Sequence, residues 1–287
     1  IGPTYSDKAA RVGLRVGDIL ESFEEKYQTL KARHEQILRD LHFTDYDIAD
    51  EEKKWLEGVE YMKKFPLTDT EFEINRALEQ GKNVLAEGAQ GSLLDIDHGT
   101  YPYVSSSSTT AGGVCTGLGV APNRIGRIFG IFKAYSTRVG GGPFVVELFD
   151  ETGDTIRHIG NEYGAVTGRN RRCGWLDLVA LKYAIMINGV TDLVMMKSDV
   201  LDDFETIKVC TAYTKDGVTV TDMPYDTEGW QPVWEDVPGW HTPLSELRNE
   251  KDFPKKFADY IAYIERATGT PISIVSVSPD REATIIR

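Results

Sequence analysis

A dense group of hydroxyl, amide and glycine residues lies between residues 87 and 113 of this 287-residue chain. It contains Gln90 and an unbroken run of six hydroxyl residues, Ser105 to Thr110. Glycines let a backbone approach a ligand closely, and successive amide and hydroxyl donors can surround a phosphate without net charge. We therefore predict an anion-binding cradle in this stretch. The alternative is a mobile surface loop whose hydroxyls cap helices.

Three residues of the same stretch, Asp95, Asp97 and His98, have the types that hold a divalent metal or act in a Ser-His-Asp hydrolase. The neighbouring serines lack the Gly-x-Ser-x-Gly pattern of a nucleophile turn. Short acidic clusters more often fix a loop by accepting hydrogen bonds from its own backbone amides. We favour that interpretation, and a metal-dependent hydrolase stays open as an alternative.

A second concentration of charge lies in the segment Gly164 to Arg172, where Arg169, Arg171 and Arg172 fall within four residues. Arginine presents a planar fork that grips carboxylate or phosphate with two hydrogen bonds. A solvated run of charge is the alternative interpretation. The flanking glycines and the nearby Trp175 favour an anion clamp.

Two further segments place polar residues directly after apolar runs. Lys197-Ser198-Asp199 follows Asp192 to Met196, and Ser278-Pro279-Asp280-Arg281 follows Ile272 to Val277. An Asp carboxylate can accept hydrogen bonds from N1–H and the 2-amino group of guanine, while a Lys stem packs along the purine. Open α/β sheets bind ligands at the carboxyl ends of their strands, so these positions are candidate sites.

The elements that must position these groups follow from periodicity and turn residues. Apolar residues at helical spacing predict a helix from about Leu20 to Leu38, and the first third of the chain is expected to be mostly helical. The remaining predictions are helices at Arg124 to Lys133, Trp175 to Asn188 and around Phe257 to Ile264, strands at Asn83 to Ala86, Tyr135 to Val139, Asp192 to Met196 and Ile272 to Val277, and a hairpin at Lys215-Asp216-Gly217. The alternation predicts an α/β fold with a mixed, largely parallel central sheet, flanking helices and antiparallel hairpin additions.

Composition narrows the class of partner. The formal charge of −13 argues against general affinity for nucleic acid or an anionic membrane. Three widely separated cysteines fit neither a disulfide framework nor a metal-ligand spacing, and no signal peptide is evident, so we expect a cytoplasmic protein. The opening Ile1-Gly2-Pro3, which lacks an initiator Met, indicates a fragment.

Taken in order, these segments resemble the adenylosuccinate synthetases, the GTP-dependent ligases that join aspartate to inosine monophosphate (IMP) through a 6-phosphoryl-IMP intermediate. The resemblance covers the whole chain and rests on Ile1-Gly2-Pro3 with Arg11 to Asp18, Glu87 to Gly113, Lys133 to Gly142, Phe149 to Gly153, Gly160 to Trp175, Lys197 to Asp202 and Ser276 to Arg281.

The resemblance implies a role for each matched residue. IMP would be bound by Arg11 from the neighbouring subunit of a homodimer and by Gln90, Ser105, Val139 and Arg169. L-aspartate would be bound by Asn161, Ala165, Val166, Thr167, Gly168, Arg169, Asn170 and Arg171. GTP would be bound by Arg171, Lys197, Ser198, Asp199, Ser276, Val277, Ser278 and Pro279.

Two matched positions depart from the family pattern. Ser105 stands where Thr is usual, and Ser278 stands where Gly is usual beside the guanine. The family's phosphate loop, its catalytic Asp with Mg²⁺ and its catalytic His would all precede Ile1. The chain would then contain no metal ligand and no catalytic residue beyond a supporting Gln90, and we expect it to be inactive alone.

The same resemblance implies one domain, the carboxy-terminal portion of a synthetase. Residues 1–80 would form a mostly helical region for dimer and IMP contacts, and residues 81–287 an α/β region for nucleotide and aspartate. A non-catalytic guanine-nucleotide-binding module is the other alternative, since it would keep the guanine-binding residues but would not need the arginines.

Overall fold

The computed structural model describes residues 1–164 and 168–287. Within these residues the α-helices are Gly2–Ala10 (α1), Phe23–Asp40 (α2), Ala49–Met62 (α3), Thr70–Glu79 (α4), Gly112–Leu118 (α5), Glu151–Ile159 (α6), Leu178–Asn188 (α7) and Lys255–Thr268 (α8). The strands are Phe129–Lys133 (β1), Ser136–Arg138 (β2), Arg172–Gly174 (β3), Leu176–Asp177 (β4), Asp192–Met196 (β5), Thr206–Lys215 (β6), Val218–Val220 (β7), Gln231–Pro238 (β8), Ile272–Ser276 (β9) and Thr284–Ile286 (β10). Outside residues 165–167, none of the helices combines the length and apolar character of a membrane span.

Residues 1–86 and 118–120 form one compact unit, built from α1 to α4. Aromatic rings join α2 to α3 in this unit, where the ring of Tyr27 lies 4.9 Å from that of Trp55. The hydroxyl of Tyr27 and the ammonium of Lys31 both donate to Glu52. The predicted helical first third is confirmed, although α2 begins only after Ser22, whose left-handed φ of 57° separates it from a preceding 3₁₀ turn.

Residues 87–117 and 121–287 form the second unit. Its main sheet has the order β1-β5-β9-β10, with β1, β5 and β9 parallel and β10 antiparallel. A second sheet joins β4, β6, β7 and β8, and a short antiparallel pair joins β2 to β3. The predicted class, a mixed and largely parallel sheet with antiparallel additions, is therefore confirmed, as is the hairpin at Asp216-Gly217, where both residues have positive φ.

Helix α8 covers the main sheet with four buried side chains, namely Phe257, Tyr260, Ile261 and Ile264. The spacing of these residues places them on one face of the helix, as predicted. The hydroxyl of Tyr260 also donates to the carbonyl of Ala134 at 3.0 Å. This bond fixes the chain immediately after β1, near the carboxyl ends of the parallel strands, where the candidate site lies.

Three predicted elements are wrong in part or whole. The segment predicted as a helix at Arg124 to Lys133 contains β1, which is rich in aromatic and β-branched residues. Gly130 allows close packing within this strand, because a Cβ there would lie only 2.9 Å from the side chain of Val190. Asn83 to Ala86 is irregular and Leu85 is 88% exposed, because no described strand pairs with it. The helix predicted from Trp175 begins at Leu178, where the Asp177 carboxylate caps it by accepting from the Ala180 amide.

Candidate functional site

The carboxyl ends of two adjacent parallel strands carry the residues that the sequence suggested for guanine. Ser198, just after β5, donates from its hydroxyl to the carbonyl of Ser276 at the end of β9, at 3.0 Å, and both residues are buried. The Ser276 hydroxyl in turn donates to the carbonyl of Ser278 at 3.1 Å. The structure therefore brings the segments 197–199 and 276–279 together, with Val277 buried and Pro279 exposed.

Asp199 offers an acceptor at this edge. Its side chain is partly buried, and burial raises the pKa of the carboxyl, while Lys197 acts in the opposite direction. The ammonium of Lys197 donates its hydrogen bonds elsewhere, to the Gly160 carbonyl and to Glu162. A ligand with two adjacent N–H donors would satisfy both oxygens and favour the ionised form.

A charged cluster lies beside these strand ends and is centred on Glu162, whose side chain is 0% exposed. Its Oε1 accepts from Nζ of Lys133 at 2.7 Å, from the hydroxyl of Tyr135 at 2.5 Å and from Nζ of Lys197 at 3.0 Å. Its Oε2 accepts from Nη1 of Arg171 at 2.7 Å. Burial opposes ionisation of Glu162, yet the hydrogen bonds from Lys133, Tyr135 and Arg171 lower its pKa to about 2.

The arginine-bearing segment starts from this cluster. The Arg171 amide donates to the Glu162 carbonyl at 2.9 Å, and Tyr163 pairs with Asn170 in an antiparallel bridge, so the two sides of the segment run together. Gly168 has a φ of 64°, a conformation that favours glycine. Arg169 and Asn170 are exposed. Ala165, Val166 and Thr167, three of the residues suggested for aspartate, lie outside the described residues.

The three arginines of this segment have different surroundings. Arg172 donates to both carboxylate oxygens of Glu147 and to the carbonyls of Gly140 and Gly142, so its charge is paired inside the fold. Arg171 is paired with Glu162, but its buried Nε has no hydrogen-bond partner among the described residues. Of the three arginines predicted to form an anion clamp, Arg172 is therefore held by Glu147 within the fold, whereas Arg169 and Arg171 stay candidates for binding an anion.

In the glycine- and hydroxyl-rich stretch, Asp95 fixes the loop. Its Oδ1 accepts from the amides of Asp97 and His98, both at 3.0 Å. Its Oδ2 accepts from the amides of Thr109 and Thr110 at 2.7 and 3.3 Å. Both oxygens face backbone amides, as the loop-fixing interpretation expects. Outside residues 165–167, no three His, Cys, Asp or Glu side chains converge as a metal site would require.

Arg138 ties this stretch to the loop after β2. It is buried, and it donates to the hydroxyl of Thr100 at 3.0 Å and to the carbonyls of Tyr103 and Gly141 at 3.3 and 2.9 Å. All three acceptors are neutral groups, and they belong to two loops, so the guanidinium connects these loops by hydrogen bonds. No local sequence pattern marks Arg138 for this role.

The remaining suggested residues lie at the surface or near it. Gln90 is exposed with a φ of 66°, and Val139 is exposed. Ser105 is partly buried, with its hydroxyl 3.0 Å from that of Ser107, and Asn161 is exposed with a φ of 48°. Arg11 ends α1 in the first unit and is exposed, with a φ of 64°.

Comparison with known proteins decides the family. Residues 1–285 match the family described as adenylosuccinate synthetase. The chain belongs to the adenylosuccinate synthetase family. It is 60% identical over 288 residues to adenylosuccinate synthetases of Phocaeicola vulgatus and Bacteroides thetaiotaomicron, covering all of this chain and 68% of each relative. A solved structure of fully ligated adenylosuccinate synthetase from Plasmodium falciparum superposes with a TM-score of 0.93 at 37% identity, over 100% of this chain and 69% of that one.

Members of this family are ligases of purine nucleotide synthesis, and the family resemblance inferred from the sequence is confirmed. Sequence reasoning missed Glu162, Lys133 and Tyr135. Nothing in the local context of Glu162 marks it, because its partners lie 29 and 27 residues before it and 9 and 35 residues after it. Only the fold brings them together.

Proposed function

We propose that this protein binds GTP, IMP and L-aspartate and serves the ligation of aspartate to IMP that gives adenylosuccinate, the first committed step of AMP synthesis. The supporting observation is that the arginine segment and the two candidate guanine segments converge at one edge of a parallel sheet in a chain of this family. In the reaction the γ-phosphoryl group of GTP passes to O6 of IMP, and the aspartate amine then displaces that phosphate.

For GTP, Asp199 accepts from N1–H and the 2-amino group of guanine. Lys197 leaves β5 in a left-handed conformation, with a φ of 59°, which carries its side chain back toward Glu162 and leaves its stem beside Asp199. Ser198, Ser276 and Val277 set the floor of this site, and Ser278 and Pro279 close over the base. Ser278 acts through its backbone, since a side chain replaces the usual glycine there.

For aspartate, the segment 165–171 with Asn161 surrounds the substrate, and Arg169 and Arg171 grip its carboxylates. The Nε of Arg171 has no hydrogen-bond partner among the described residues, and this supports the role, because a guanidinium anchored through Nη1 can still donate from another nitrogen to an anion. Arg171 also reaches GTP, and Arg169 also reaches IMP. Positive charge held in place in this way stabilises the phosphoryl group during its transfer.

For IMP, Gln90, Ser105 and Val139 contact the nucleotide from within one chain. Arg11 of a second copy of the chain contacts its phosphate, so the site is completed in a homodimer. The fixed form of the 92–110 loop, held by Asp95, supports this assignment because hydroxyl and amide donors must be oriented before they bind a ligand well.

We place the protein in the cytoplasm.

Family membership also implies Mg²⁺. The acidic residues described in the site do not fit a shared Mg²⁺ site. Both oxygens of Glu162 are occupied by cationic or hydroxyl donors, and both oxygens of Asp95 by amides. No step of the proposal passes through a metal held by these side chains.

Nucleotide selectivity tests the proposal. Isothermal titration of the full chain should show tighter binding of GTP than of ATP, because adenine presents an acceptor at N1 and has no 2-amino group. The variant Asp199→Asn should lose about 2–3 kcal/mol of GTP binding, roughly 30- to 150-fold, since it replaces a charged acceptor.

The matched control is Asp203→Asn, an exposed carboxylate four residues further along the chain. It carries the same change of charge and should leave GTP affinity unchanged. Equal affinity of the wild-type chain for GTP and ATP would reject the guanine assignment.

A further inference from the structure

Glu162 contacts three separate parts of the second unit. It follows α6 and directly precedes the arginine segment. It accepts hydrogen bonds from Lys133 at the end of β1 and Tyr135 just after it, from Arg171 in the arginine segment and from Lys197 after β5. With no solvent exposure, its carboxylate is enclosed by these donors. It therefore touches no substrate, and any functional effect must pass through its partners.

The charges around Glu162 are unequal. Three cations share one carboxylate, so the cluster keeps a formal excess of two positive charges. The side chains of Lys133, Arg171 and Lys197 remain 25%, 29% and 35% exposed. Each cation is paired with the carboxylate while part of its side chain stays exposed, an arrangement that leaves positive charge for an anionic ligand.

The turn before Glu162 adds to the rigidity of this arrangement. The carbonyl of Gly160 accepts from Nζ of Lys197 at 2.5 Å, so the Lys197 ammonium is held by two groups. A Cβ on Gly160 would lie 2.4 Å from the Tyr135 hydroxyl and 2.7 Å from the Ile156 carbonyl. The backbone here passes so close to its neighbours that only glycine fits, and Glu162 has little freedom to shift.

We propose that Glu162 is a positioning residue that aligns Arg171 of the aspartate segment and Lys197 of the guanine site on one shared carboxylate, so that both bind GTP in register. This role rests on the proposed function. In this role, the length and the charge of the Glu162 side chain together set the positions of Arg171 and Lys197, which lie on different elements.

Two substitutions separate charge from length. Glu162→Gln keeps the length but replaces one oxygen with an amide that faces the cations, and GTP affinity should fall by about tenfold or more. Glu162→Asp keeps the charge but withdraws the carboxylate, so it cannot reach both Arg171 and Lys197, and GTP affinity should fall by about tenfold. The Asp variant retains charge pairing, so it tests the proposal even if the Gln variant does not fold.

A loss of GTP affinity without a loss of IMP affinity is the result that a general structural defect would not produce. Three of the expected IMP contacts are described away from the Glu162 cluster, since the Ser105 hydroxyl lies 3.0 Å from that of Ser107 and both Gln90 and Val139 are exposed. Both variants should bind IMP within about twofold of the wild-type chain. The control Glu147→Gln removes a carboxylate paired with Arg172 alone and should leave both affinities within about twofold.

The measurements are titrations of the full-length chain with GTP and with IMP, with circular dichroism and thermal melting to establish that each variant is folded. Folded Glu162 variants with near-wild-type GTP affinity, or with equal losses for GTP and IMP, would overturn the positioning role while the proposed function stood. A wild-type chain that fails to bind GTP would overturn the proposed function and this role together.

Discussion

Two buried carboxylates, Glu162 and Asp177, show how the same chemical group serves different purposes in this fold. Each accepts a hydrogen bond from a tyrosine hydroxyl at 2.5 Å, Tyr135 in one case and Tyr213 in the other. Their other partners differ. Glu162 has three cations, whereas Asp177 has backbone amides at the start of α7, including that of Ala180 at 3.1 Å.

The consequences for ionisation are opposite. Burial acts on both groups, but cationic donors lower the pKa of Glu162 to about 2, while the neutral donors around Asp177 leave its pKa raised. Asp177 is a helix cap within the packed core. Glu162 stands at the carboxyl edge of a parallel sheet with positive charge left over, as expected at a site for anions. The difference shows that the partners of a buried acid, rather than its burial, decide the direction in which its pKa shifts.

The largest expected effect is on stability. Glu162→Gln leaves three cations around an amide and should lower the free energy of unfolding by about 2–3 kcal/mol, less than a fully buried pair because the cations keep solvent contact. Asp177→Asn keeps an oxygen for Ala180 and a polar group for Tyr213, so its loss should be within about 1 kcal/mol. Urea denaturation measures both, and equal losses would remove the distinction between the two carboxylates.

As the pH falls, the contributions of Glu162 and Asp177 to folding stability should change in opposite directions. The folded-state pKa of Glu162 lies below its ordinary value of 4.5, so its contribution is full above pH 4.5 and is lost as pH falls toward about 2. The folded-state pKa of Asp177 is raised above 3.8, so its contribution is full below pH 3.8 and is lost as pH rises through the folded value.

These signs predict opposite trends in a series of urea titrations between pH 2 and 5. The stability difference between wild type and Glu162→Gln should shrink as pH falls. The difference between wild type and Asp177→Asn should grow. If both differences moved in the same direction, the assigned electrostatic environments would be wrong.

The smallest expected effect concerns the two cysteines that lie near these carboxylates. Cys173 and Cys210 are buried, and burial raises the pKa of both thiols, that of Cys210 to about 12. A thiol reagent should therefore label the partly buried Cys115 first. GTP should slow labelling of Cys173 by a few-fold, about twofold to fivefold, and leave Cys210 unchanged. Mass spectrometry of the labelled peptides measures each rate, and a GTP effect on Cys210 alone would contradict the account.

Sequence patterns predicted the parts of this molecule in which local signals and the fold agree. The apolar run of β5 ends at Met196 and is followed by Lys197 and Asp199, and Phe257, Tyr260, Ile261 and Ile264 share one buried face of α8. Both signals are carried by residues that lie close together in the sequence. The segment Arg124 to Lys133 was misassigned because a short apolar run fits either a helix or a strand, and its pairing with β5 lies 63 residues away in sequence.

The candidate site shows the same division. Motifs suggested Asp199, Ser276 and the arginines as site residues, since these residues belong to segments long enough to be distinctive, and their binding roles stay predictions. The roles of Glu162 and Arg138 come from contacts between elements that the chain separates, and no local pattern reports such contacts. The loop-fixing role of Asp95 is predicted from its residue type and is confirmed by the four backbone amides that donate to it.

Asp199 is proposed to accept hydrogen bonds from guanine at the carboxyl ends of the strands, and an exchange of base preference is the sharpest test of that role. Xanthine carries a carbonyl oxygen where guanine carries its 2-amino group, so an Asn side chain can donate to xanthine where Asp accepts from guanine. Titration of the wild-type chain and of Asp199→Asn with GTP and with xanthosine triphosphate should show GTP preferred by the first and xanthosine triphosphate by the second. An Asp199→Asn variant that keeps the wild-type preference for GTP would contradict the account.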